Sequence, residues 1–134
     1  MSEPVSDLTE LLRTLRPVLN EGIFVFASLP HDADRSALEP LATFREKEGL
    51  TVVVGEERAR LAGLRVLFRA AWITLTVHSD LEAVGLTAAV ADALTRANIS
   101  CNMIAAAHHD HLFVPVESAR AAIEVLTALQ QRHQ

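Results

Sequence analysis

Four histidines, His78, His108, His109 and His111, are the side chains best placed to do chemistry, out of six in a chain of 134 residues. A zinc-type site needs three or four His, Cys or carboxylate ligands converging at about 2 Å. Strand alternation opposes that, because His109 and His111 would point one way while His108 and Asp110 point the other. These histidines fit better as hydrogen-bonding groups at strand ends and turns, or as neutral donors and acceptors in a ligand pocket. No metal site is therefore predicted. Nucleophilic catalysis is also disfavoured. Cys101 alternates with Ile99 and Met103 toward the buried side of a strand, where a thiolate is unfavourable. Ser79 sits between His78 and Asp80, but adjacent residues do not generally form the hydrogen-bond chain of a triad. Asp80 and Glu82 fit capping roles, and no glycine-rich phosphate loop or other cofactor motif occurs. What the sequence does offer is backbone anion binding. A helix N-terminus just after a strand presents unpaired N–H groups and a positive dipole end, and Gly85 lets the chain turn there or approach a ligand closely. The plainer reading of Gly85 is close helix–sheet packing.

The elements that position these groups can be read from apolar spacing. Ile73, Leu75 and Val77 alternate with Trp72, Thr74 and Thr76, which predicts a half-buried strand. The period then changes, and Leu86, Val90, Leu94 and Ala97 make an amphipathic helix over residues 83–97. Ser79 and Glu82 have capping-box spacing at its start, and Asn98 suits a left-handed cap at its end. Residues 99–106 form a strand showing Ser100, Asn102 and Ile104 on its outer side. His108, His109 and Asp110 make a turn. The next strand faces the core with Leu112, Val114 and Val116 and shows His111, Phe113 and Pro115 on its other side. A last helix starts at Glu117 or Ser118 and buries Ala119, Ile123, Leu126 and Leu129.

The first half begins with a helix capped at Asp7 and running to about Arg16, where Pro17 and then Asn20-Glu-Gly22 break it. Residues 23–29 are apolar on both faces, as in a central strand. Residues 30–40 are irregular. Strands over 42–47 and 50–54, a helix over 56–62 ended by Gly63, and a strand over 64–68 with Val66 inward complete this half. Residues 50–61 and 112–123 both run strand, acidic helix start, Arg/Ala-rich helix, and a duplicated element explains that repeat.

The segments His78-Ser-Asp-Leu-Glu-Ala-Val-Gly-Leu-Thr87 and His109-Asp-His-Leu-Phe-Val-Pro115 resemble the second unit of small stand-alone bacterial proteins with two ACT-like domains. The resemblance covers nearly the whole chain, and is most specific over residues 72–116. It implies an α+β fold of two ferredoxin-like βαββαβ units with antiparallel sheets and helices on one face. The units would be residues 1–70 and 71–134, in one cooperative fold. Residues 30–40 depart from the pattern, since an ACT unit has its first helix there. The second unit also lacks a last strand of its own, so an element from elsewhere, such as the first unit, must close its sheet. The resemblance further implies a non-catalytic regulatory protein that binds an amino-acid effector in an interface pocket, as a homodimer or higher homo-oligomer. The effector's carboxylate would meet the backbone of Ala83 to Thr87, with Val84, Gly85, Leu86 and Thr87 as the site residues. Asp80 would accept from its ammonium group, His78 would flank it, and Asn102 and Ile104 would approach from the strand side. The alternative is a protein–protein interaction module without a small ligand, with a histidine metal site less favoured still.

Composition agrees with this class. Half the residues are apolar, ample for a core, and the net charge of −5 comes without a Lys/Arg cluster, which disfavours nucleic-acid binding. A single cysteine excludes an internal disulfide. No run approaches the roughly 18 apolar residues of a membrane span, and a cytoplasmic setting is the default. The sheet face carrying Thr74, Thr76, Asn102 and Ile104 should be small and polar, open to water or to a second copy.

Overall fold

Asp7 caps the first helix, its carboxylate accepting from the Glu10 amide at 3.1 Å, and α1 (Leu8–Thr14) follows in a computed structural model that describes residues 7–77 and 80–133. Leu11, Leu12 and Leu15 on its inner side are 3 % exposed or less. Pro17 ends helical geometry, but the chain does not simply turn. It forms a three-residue strand, β1 (Pro17–Leu19), that apolar spacing did not signal. After the break at Gly22 come β2 (Phe24–Leu29), β3 (Ala42–Arg45), β4 (Leu50–Gly55) and α2 (Glu56–Leu61). Residues 30–41 make turns without a helix, and Leu38 anchors them in the core at 4 % exposure.

The strand expected over 64–68 is not formed as such. Val66 and Leu67 are exposed, and their segment carries the chain from α2 back to the sheet, where the Leu67 amide donates to the Phe26 carbonyl. One longer strand, β5 (Phe68–Leu75), begins there. The rest is α3 (Leu86–Arg96), β6 (Asn102–Ala105), β7 (Asp110–Pro115), a 3-10 turn over Val116–Ser118, and α4 (Ala119–Gln131). Asn98 takes the left-handed conformation expected after α3, with φ +59°.

Every strand pairing is antiparallel, and the sheet order is β3-β4-β2-β5-β7-β6 with β1 also against β5. The central strand serves both halves. Phe68 to Ala70 pair with β2 as the last strand of the first unit, while residues 70–75 pair with β7 as the first strand of the second. On the edge shared with β2, Pro17, Val18 and Leu19 pair with Leu75, Thr74 and Ile73. This β1 is the closing strand that the second unit lacks in its own sequence. Between β1 and β2, Asn20 bridges the break, its backbone N–H donating to the Trp72 carbonyl at 2.9 Å.

The helices cover one face. Leu11, Leu12 and Leu15 of the α1 segment, Val90 and Leu94 of α3, and Ala122 and Leu126 of α4 pack against Ile73, Leu75, Leu112 and Val114, while Ala59 of α2 packs with Val25, Val52 and Val54. Burying each such Leu, Ile or Val side chain contributes about 1.5–3 kcal/mol before entropy is counted. The opposite face is not the small polar surface expected from Thr74, Thr76, Asn102 and Ile104. Val53, Ala70 and Phe113 are buried on it, with Phe24, Phe26, Phe68 and Trp72 packed around them. The register puts Phe26 beside Val53 and Phe68, and Trp72 beside Phe113, so aromatic rings from both units meet across β5.

Candidate functional site

The corner between β5 and α3 is built from turns. His78 and Ser79 lie outside the described residues, and with them the first half of the expected capping box. Asp80 accepts from the Glu82 amide through its carboxylate at 3.0 Å, and its carbonyl accepts from the Ala83 amide at 2.9 Å. This Asx-type turn replaces the helical turn expected over residues 83–85. The helix starts at Leu86, its cap is Gly85 at φ +106°, and no side chain caps it. Val84 is 84 % exposed and Thr87 is exposed, while Leu86 is buried. Gly85 is packed as well as turned. A Cβ there would stand 2.9 Å from Cδ2 of Leu8 on α1.

That geometry sets the effect of Gly85→Val. A β-branched residue is a strained outlier at this φ, and Leu8 must move as well. Strain of this kind costs about 1–3 kcal/mol, so urea denaturation should show a clear loss of stability in the variant. Unchanged stability would show that the corner relaxes freely.

Asn102 and Ile104 lie on the sheet face away from the helices, both exposed. Asn102 pairs with Phe113, itself opposite Trp72, and Ile104 pairs with His111, opposite Thr74. Ile104 is thus one row nearer the β5–α3 corner than Asn102, and neither sits on the helix side where α3 begins.

A second arrangement contains His111, expected either at a strand end or as a neutral group in a ligand pocket, at a place that the sequence did not indicate. A cavity of about 180 Å³ is walled by Leu41, Ala42, Ile104, Ala106 and Phe113 with Trp72 and His111, and an adjoining space of about 350 Å³ shares Ala42 and Ile104. Ala42 and Ile104 belong to the two outer strands, which in a flat sheet of this order would be about 24 Å apart at about 4.8 Å per strand. The sheet therefore curls, and this face is concave.

The polar group on that surface is held from below. The indole N–H of Trp72 donates to Nδ1 of His111 at 3.1 Å, the Thr74 hydroxyl lies 3.0 Å from the same nitrogen, and the Asn20 amide donates to Thr74 at 2.9 Å. An indole N–H is a donor only, so Nδ1 accepts and the ring proton sits on Nε2. Burial, and then the neighbouring His109, lower the His111 pKa from its ordinary 6.5, with Asp110 acting in the opposite sense. The native state therefore holds its full advantage above the unfolded value and loses it as pH falls through the lower folded value. Stability measured from about pH 8 to about pH 5 should drop more steeply for the wild type than for His111→Gln. Parallel curves would show that His111 titrates normally.

The other reactive groups are separate. His108 is exposed in the β6–β7 turn, and Nδ1 of His109 is enclosed without a partner among the described residues. Burial raises the Cys101 thiol above its ordinary range. Among the described residues no three His, Cys, Asp or Glu side chains gather as metal ligands, and no helix is long and apolar enough to cross a membrane.

Family models of the ACT domain match residues 3–71 and 68–128, and they overlap within β5. A crystal structure of a Vibrio cholerae protein, described as of unknown function and a possible transport protein, is 45 % identical, covers 92 % of this chain and 95 % of its own, and has a TM-score of 0.85. An Agrobacterium tumefaciens protein at 15 % identity gives a TM-score of 0.69 over 87 % of this chain and 89 % of its own. The regulatory subunit of aspartate kinase from Thermus flavus, at 10 % identity, gives 0.65 over 85 % and 96 %. These last two share the fold. No curated protein matches.

Proposed function

We propose, from the premise that this chain belongs to the ACT-domain family with one such domain matched in each half, that it is a non-catalytic, cytoplasmic regulatory protein whose effector is an amino acid. The tandem match carries this reading. It is supported by the fold shared with an aspartate kinase regulatory subunit over most of both chains. The α3 N-terminus, with no side-chain cap, suits the effector's carboxylate, received by the backbone at Gly85, Leu86 and Thr87 beside exposed Val84. Asp80 retains acceptor capacity for the ammonium group beyond its bond to Glu82. Asn102 and Ile104 face away from that corner within one chain, so the reading takes them from β6 of a second copy in a homo-oligomer.

Thermal unfolding against the twenty common amino acids tests this. A true effector at a hundredfold excess over its Kd stabilises the native state by about 2.7 kcal/mol. Asp80→Ala should then weaken binding by about the 1.5–3 kcal/mol of a hydrogen bond to a charged group. Absence of any shift would count for an interaction module without a small ligand. Binding that survives Asp80→Ala unchanged would confine Asp80 to its turn.

A further inference from the structure

The cavity on the concave face lies across the sheet from the α3 corner assigned to the amino-acid effector and shares with that assignment only Ile104, and its walls differ in kind. No carboxylate, ammonium or guanidinium lines it. Its side chains are apolar apart from Trp72 and His111, and the Trp72 N–H is already spent on His111. An ion entering there would lose its hydration without a counter-charge. An uncharged molecule would lose little, provided its one polar atom found a partner. His111 supplies that partner. Its Nδ1 is held by Trp72 and Thr74, with Thr74 in turn oriented by Asn20. Nε2 carries the proton and has no protein partner among the described residues, yet it is not sealed in as Nδ1 of His109 is. The ring of His111 is thus fixed through one nitrogen by two neighbours while the residue itself lines the cavity.

We propose that this cavity is a binding site for a small uncharged ring compound bearing a carbonyl or hydroxyl oxygen, which accepts from His111 Nε2–H while Leu41, Ala42, Ile104 and Phe113 enclose its apolar body. Size agrees with that class, since a cavity of about 150 Å³ lined by apolar side chains takes up benzene, and this one holds about 180 Å³. The adjoining space past Ile104, bounded by Phe26, Phe44 and Met103, accepts an apolar substituent. Leu41 and Ala42 come from the first unit and the other walls from the second. An occupant therefore bridges the two outer strands and favours the curled sheet.

Cyclohexanone is a suitable probe, followed by the indole N–H signal of Trp72, the chain's single tryptophan, in a nitrogen-15 NMR titration. The expected result is a saturable shift of that signal, absent with cyclohexylammonium, a charged molecule of the same ring size. His111→Phe keeps the ring and removes the donor, and should weaken binding roughly three- to tenfold, the effect of one neutral hydrogen bond. Ile104→Trp, at a position already 40 % exposed, should fill the cavity and abolish the shift while leaving the fold intact. Asp80→Ala should change nothing, which separates this site from the effector corner. No saturable shift with cyclohexanone, equal binding of cyclohexylammonium, persistence in Ile104→Trp, or loss in Asp80→Ala would each overturn the proposal.

Discussion

Severed between Ala70 and Ala71, the chain should yield two pieces, neither of which folds alone. The cut passes through β5, whose first three residues pair with β2 and whose last six pair with β7. The second piece would also lose α1 and β1. With them go Leu11, Leu12 and Leu15, all 3 % exposed or less in the core beneath α3 and α4, and the strand that covers the free edge of β5 from Ile73 to Leu75. The first piece would keep α1 with nothing to bury it. Domains of about 60 residues are marginal even when complete, and these would be incomplete. Circular dichroism and NMR dispersion of each piece would check this, with urea unfolding of the whole chain expected to show one transition. A folded piece 71–134, or two separate transitions, would mean that the units are independent.

Phe113→Ala should be the most damaging single truncation on the sheet face that no helix covers. Phe113 is 1 % exposed, meets Phe26 edge-to-face with ring centroids 5.4 Å apart, and lies beside Trp72 in register. Removing a buried phenyl ring costs about 3–5 kcal/mol, whereas a substitution on a wetted surface stays within about 0.5 kcal/mol. Urea denaturation of the variant distinguishes the two. A loss of the larger size would establish this face as a second core joining the units, and a near-zero effect would make it surface.

The sequence by itself determined the parts whose signals are local. Alternation at two residues set the faces of β5 and β7, with Ile73, Leu75, Leu112 and Val114 all buried as read. Spacing of three and four residues set α3 and α4, and single residues with one conformational preference set ends: Asp7 as a cap, Gly63 and Asn98 in the left-handed region. The second ACT-like unit was legible because its motifs, His78–Thr87 and His109–Pro115, are contiguous, whereas the first carried only the weaker resemblance and the repeat of residues 50–61 in 112–123. Tertiary structure decided what depends on distant partners. Pro17–Leu19 is a strand only because it lies on the open edge of β5, more than fifty residues away, and three residues are too few to show a period. The site residues divide in the same way. Asp80 and Gly85 were legible as turn formers, but that Leu8 packs on Gly85 depends on where α1 docks. Alternation placed Phe113 and His111 on the outer side of their strand and could not show that this side is concave. Concavity follows from the curl that brings Ala42 and Ile104 to one cavity. Curl is the summed twist of strands along the sheet, a property that no single stretch of sequence carries.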